Sequence, residues 1–181
     1  ARMPIPAPLL KFVEDELSRS AAMAERCVAG TLTLLRADRD RPSALIEALV
    51  SHGAAFQQRF VAALADATRR ELLSQDAEPG AGTSPSGLEL MDEARVEADI
   101  EISRAMQLID STAEWERREL QTFTSTLCGL EHVSEDSNPL RPIAYATALW
   151  EAAGVATVAP AARSALVRVA AGVLAGLLKT A

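Results

Sequence analysis

An all-α fold, an antiparallel bundle of about five helices with one long central helix, is the architecture this 181-residue sequence predicts. Three observations carry that expectation. Apolar residues recur at steps of three and four over long stretches, the period of one helix face. No alternating apolar and polar run is bounded by turn residues, so strands are not expected. Only 4% of residues are aromatic while 49% are hydrophobic, so Ala and Leu must build the core, which suits close helix packing.

The first helix is expected over residues 8–36. Leu9, Leu10, Val13, Leu17, Ala21, Ala24, Val28, Leu32 and Leu35 form its stripe. A polar turn from Arg36 to Arg41 follows. The second helix is expected over 42–74, with Pro42 at the first position, where a missing N–H costs nothing. Its inner face is Leu45, Leu49, Phe56, Phe60, Leu64, Ala67 and Leu72, and Gly53 invites a kink or a close approach. Residues 75–87 are rich in Pro, Gly and Ser and read as a flexible linker.

The long central helix is expected over 92–128, with Asp92 as N-cap and Gly129 as its stop. Val96, Ile100, Ile109, Leu120 and Phe123 mark its apolar face. Glu97, Asp99, Glu101 and the charged run from Glu114 to Glu119 mark the solvated one. A fourth helix is expected from Asn138 as N-cap and Pro139 as first residue to near Gly154. A fifth is expected over 160–179. Arg163 and Arg168 shorten its apolar run to 169–178, half of what a spanning helix needs, so no membrane span is expected. The domain plan is an N-terminal hairpin (1–75), a linker (76–87) and a three-helix segment (88–181), together one composite domain.

Charge is uneven along the chain. Residues 76–138 hold fifteen acidic and four basic groups, whereas 139–181 hold one acidic and four basic. Phosphate would be repelled by the acidic middle, so nucleic acid is not an expected partner. A basic partner surface, or the chain's own basic tail, fits better. Two distant cysteines, Cys27 and Cys128, make no disulfide framework, and no secretory leader pattern opens the sequence. A cytoplasmic location is expected. Position 1 is Ala, and a piece of a longer protein is expected.

Motifs that would carry chemistry fail on context. Gly80-Ala81-Gly82 lies between two prolines in the linker, without the strand and helix a phosphate loop needs. Cys128 and His132 are four apart, but a structural zinc site needs two such pairs, and Gly129 breaks the helix between them. Neither histidine has glutamate three residues before it, as di-iron bundles require. Glu97 and Glu101 share a helical face and read as solvated acids rather than a catalytic pair. No catalytic residue, metal or cofactor is therefore expected, and the reading is non-enzymatic.

Two segments together carry a resemblance. Leu88-Glu89-Leu90-Met91-Asp92-Glu93 opens the acidic helix, and Asn138-Pro139-Leu140-Arg141-Pro142 opens the next. The pair, with Phe56-Gln57-Gln58-Arg59-Phe60 upstream, resembles the DUF1631 family, proteobacterial proteins without an established function. The likeness covers most of residues 42–178. It departs at Trp150, where a phenylalanine or similar residue is usual. The resemblance implies the N-terminal portion of a longer protein and supplies no catalytic residue.

The function expected is a helical protein-interaction or scaffold module of a larger bacterial regulatory protein. It would bind a protein partner or a second copy of itself. The candidate surface is Glu97, Glu101, Trp115 and Glu119, with the 160–178 helix as a second. The alternative is a sensory domain enclosing a small molecule near Tyr145, His52 or Gln57.

Overall fold

The structure is a computed structural model that describes residues 5–75, 93–134 and 137–180. The expected linker, Gly80, Gly82 and the Asp92 cap lie outside the described residues. Among the described residues there are six helices and no strand. They are α1 (Ala7–Ala37), α2 (Ser43–Gln75), α3 (Glu93–Thr112), α4 (Glu114–Leu127), α5 (Pro142–Ala156) and α6 (Pro160–Thr180).

The all-α expectation holds, but the central helix is a different one. The core forms around the short α5, which packs chiefly on α2 and also on α3 and α6. Nine of its fifteen residues are buried, six of them alanines. A helix apolar all round belongs in the interior, and small side chains let its neighbours close in on every side. Phe56, Phe60 and Leu64 of α2, Ile109 of α3, and Leu166 and Leu174 of α6 complete the core.

The expected 92–128 helix is broken. Ala113 leaves helical geometry (φ −109°, ψ 32°). No Gly or Pro sits there. Ser111 and Thr112, weak helix formers, precede it, and an ion pair between Asp110 and Arg117 spans the bend. The bend explains why two residues seven apart meet. Gly129 does end α4, with φ +69°. Its N–H donates to the Thr126 carbonyl and that of Leu130 to the Ser125 carbonyl, the Schellman pattern. The kink expected near Gly53 falls at His52 (φ −116°, ψ 15°).

The start of α5 also differs from expectation. Asn138 and Pro139 do not open the helix; Arg141, extended at ψ 160°, caps it and Pro142 begins it. A residue before proline is driven out of helical geometry, so the second proline sets the boundary. Asn138 instead ties down the turn. Its Oδ1 accepts from the Leu140 N–H (3.0 Å) and its Nδ2 donates to the Leu140 carbonyl (3.2 Å). Beneath that turn the buried hydroxyls of Thr124, Ser125 and Ser137 bond one another at 2.9 Å.

The burial stripe of α1 is rotated slightly from the expected one. Leu10 and Ala21 are exposed, while Ser20 and Thr31 are buried. Their hydroxyls donate to the Leu17 and Cys27 carbonyls (2.5 and 2.7 Å), so burial leaves no polar group unpaired. By length and composition α6 is apolar enough to cross a membrane. In the bundle one side of it packs on α1, α3 and α5, and Gly172 and Gly176 are exposed.

Candidate functional site

The four residues singled out from sequence divide into two kinds. Glu101 is not on a solvated face: it is 3% exposed. It accepts from the Arg168 guanidinium of α6 at 2.7 Å and pairs with Arg104 at 3.2 Å. Ser164 of α6 donates to Glu97, which is half-buried, at 3.4 Å. Part of the acidic middle is thus answered by the chain's own basic tail, one of the two outcomes the charge pattern allowed. Trp115 and Glu119 on α4 remain outside, Trp115 at 69% exposure.

Seating Glu101 fixes the rotation of α3, and with it what faces outward. If Glu101, Ala105 and Ile109 point inward, residues one position earlier cannot. Val96, Ile100 and Leu108 therefore lie outside, with Ile100 at 47% exposure. Sequence periodicity had placed Val96 and Ile100 inside. The signal it lacked is that α6 offers Arg168 and Ser164 to this side of α3 and so makes burial of a carboxylate tolerable. Asp99 on α3 and Glu119 on α4 are exposed and form no ion pair among the described residues. α4 is little embedded, burying only Thr124 and Ser125, and Phe123 stays half out against Phe12 (ring centroids 5.5 Å apart).

Tyr145 marks a second region. It is 9% exposed and lies at the floor of a cleft of about 470 Å³ between α1, α4 and α6. Met23, Leu120, Leu177 and Leu178 are its apolar walls; Glu16, Arg19, Arg26 and Glu116 stand at its rim. A smaller recess of about 80 Å³, against Ile109, Ala113, Leu140 and Pro142, shares Glu116, Leu120, Tyr145 and Leu178 with it. Burial, and then the nearby Glu16 carboxylate, push the Tyr145 phenol above its ordinary value. The other residues named for such a pocket do not join it: His52 is exposed at the α2 kink, and Gln57 is half-buried on α2.

The remaining reactive groups are separate. Cys27 and Cys128 are free thiols. Burial pushes the Cys27 thiol up to about 12, although its hydrogen bond with Thr31 opposes this. Cys128 caps α4, and His132 is exposed beyond the Gly129 turn. Among the described residues no group of three or more His, Cys, Asp or Glu is placed to hold a metal ion. Trp150, the residue unusual for the resemblance, is covered by Arg163. That guanidinium sits 4.0 Å from the ring centroid, and its Nε and Nη2 donate to the Trp150 carbonyl (3.0 and 2.7 Å).

The family model described as "Protein of unknown function (DUF1631) N-terminal domain" matches residues 38–181. No curated protein and no solved structure matches.

Proposed function

We propose that this chain, which belongs to the DUF1631 family, is a non-enzymatic docking module of a larger bacterial cytoplasmic regulatory or scaffold protein. The observation that carries the reading is the outward turn of α3. A helix that buries a carboxylate while Val96, Ile100 and Leu108 stay 37%, 47% and 40% exposed presents apolar surface that a partner would cover. An exposed tryptophan on the adjoining helix adds the type of side chain that anchors interfaces.

The occupant that fits is a protein helix with an apolar stripe flanked by basic residues. α3 and α4 together carry eight acidic and four basic residues. Of those acids, Asp99 beside the apolar stripe and Glu119 on α4 are exposed and stay without an ion pair among the described residues. A second copy would set acid against acid along the same stripe, and like charges facing each other disfavour that contact.

Site-specific photocrosslinking in cells tests this. A benzophenone side chain is placed at Ile100 or Trp115, with Ala29 on the outer face of α1 as control. One discrete adduct is expected from the first two positions and none from the third. It should weaken when Asp99 and Glu119 are both changed to Lys. An adduct of twice the chain mass would overturn the basic-partner assignment. No adduct, or the same adduct from Ala29, would remove the surface altogether.

A further inference from the structure

We propose that the cleft floored by Tyr145 is a binding site for a small, uncharged, largely apolar molecule bearing a hydrogen-bond-accepting oxygen. The inference does not depend on the docking surface of α3 and α4.

Size comes first. A concavity of about 470 Å³ lies within the range of ligand pockets. The adjoining recess at the α3–α4 bend extends the apolar floor. Met23, Leu120, Leu177 and Leu178 supply its apolar walls.

Chemistry at the floor sets the polar requirement. Buried hydroxyls in folded proteins are almost always partnered, as Ser20, Thr31, Thr68 and Thr124 are here. Tyr145 differs: its residue is 9% exposed and lines the cleft, and its hydroxyl has no hydrogen-bond partner among the described residues yet is not sealed from solvent, so it is open to whatever enters. A phenol held in its neutral form by burial is a donor waiting for an acceptor. That acceptor is not an anion, because the Glu16 carboxylate lies close by and would repel one. The rim gives no preference for either sign. Glu16 and Glu116 face Arg19 and Arg26, two against two, and Arg19 already pairs with Glu16 at 2.9 Å. A ketone, ester or amide oxygen on an apolar body meets all of these conditions.

The probe for the test is 6-propionyl-2-(dimethylamino)naphthalene, a neutral apolar ketone whose emission reports both polarity and hydrogen bonding at its carbonyl. It is titrated into the full 181-residue chain. One saturable site per chain is expected. Tyr145→Phe should weaken binding by about two- to tenfold, the worth of one net hydrogen bond, and shift the bound emission to the blue. Ala22→Trp, at an exposed residue on the lip of the cleft, should abolish saturation while leaving the thermal midpoint unchanged. It decides the matter if Tyr145→Phe fails to fold. Dodecanoate and dodecyltrimethylammonium should each compete more weakly than the neutral 2-dodecanone. Non-saturable binding, or Ala22→Trp binding as the parent does, overturns the site. Tyr145→Phe binding with unchanged affinity and emission overturns the role of the phenol. Tighter competition by either ion overturns the uncharged assignment.

Discussion

α5 and the α3–α4 arm reach the bundle by opposite routes. α5 has a single charged residue, Glu151, and six buried alanines, so almost any rotation about its axis buries apolar surface. Its place is decided by its own composition. The arm is charged along both helices, and its rotation is decided by a neighbour: Arg168 and Ser164 of α6 draw Glu101 and Glu97 inward and turn Val96 and Ile100 out. Stability resides in the first region. Surface suited to recognition collects in the second, because fixing a buried acid there leaves apolar side chains over.

The largest expected effect separates the two regions directly. Leu149 is fully buried between α5 and its neighbours, so Leu149→Ala should cost about 2–5 kcal/mol, transfer and cavity terms together. Phe123 on α4 is larger but half exposed, and its main contact is the edge-to-face pair with Phe12. Phe123→Ala should cost about 1 kcal/mol, the scale of a single aromatic pair. Urea denaturation of both variants checks the contrast. Equal losses would mean that α4 is as integral to the fold as α5.

The same contrast governs what was legible in the sequence. Both ends of α1, α2 and α6 could be read to within a residue or two, because proline starts and continuous stripes are local signals. Gly129 was legible as a stop for the same reason. The bend at Ala113 was not, since alanine is the best helix former and the Asp110–Arg117 pair that spans it shows only in three dimensions. The α5 boundary was misjudged by weighing Asn138-Pro139 over the proline three residues on. Of the candidate surface, Trp115, which its sequence context favours as packed on a neighbouring helix, is 69% exposed; Glu119 was legible as exposed. Glu101 was not legible as buried, because a period-based reading assigns every acid to water and has no means to see Arg168 coming from sixty-seven residues away.

The second prediction tests whether Glu101 sets the rotation of α3. Arg168 is well exposed and keeps its hydration if Glu101 is replaced, so Glu101→Leu leaves no buried charge behind. A shape-matched apolar residue at a buried ion pair is commonly neutral or stabilising, and Glu101→Leu should fall within about 1 kcal/mol of the parent. Arg168→Ala strands the carboxylate with Arg104 alone and should lower the urea midpoint more than Glu101→Leu does. The reverse order would mean that packing of α3, not the charge, fixes its face.

Two thiols, one in the core on α1 and one at the end of the arm, give the third. Cys27 is buried in the core, and its folded value of about 12 lies above the ordinary 9.0. The folded state therefore holds its proton where the unfolded chain has lost it. Stability tied to this group is complete below pH 9 and falls as pH rises from 9 towards 12, on the order of 1 kcal/mol per unit. Cys27→Ala should flatten that part of the stability curve. At pH 8 iodoacetamide should modify half-buried Cys128 and spare Cys27, which peptide mass mapping of the native chain reads directly.

The smallest effect on stability is expected at the residue most exposed to a partner. Trp115 is 69% exposed on a helix that buries only two hydroxyl residues, so Trp115→Ala should change the unfolding free energy by no more than about 0.5 kcal/mol. Ile100→Ser should behave similarly, since its side chain is nearly half in water already. Both changes should nevertheless remove most of the crosslink read from the neighbouring position, because interface energy concentrates in a few large anchors. If either variant unfolds the chain by several kcal/mol, its side chain is part of the bundle and the outward stripe on α3 is not surplus surface. If both are silent in stability and in crosslinking alike, the exposed apolar residues are ordinary surface, and the arm's open face has no partner to explain it.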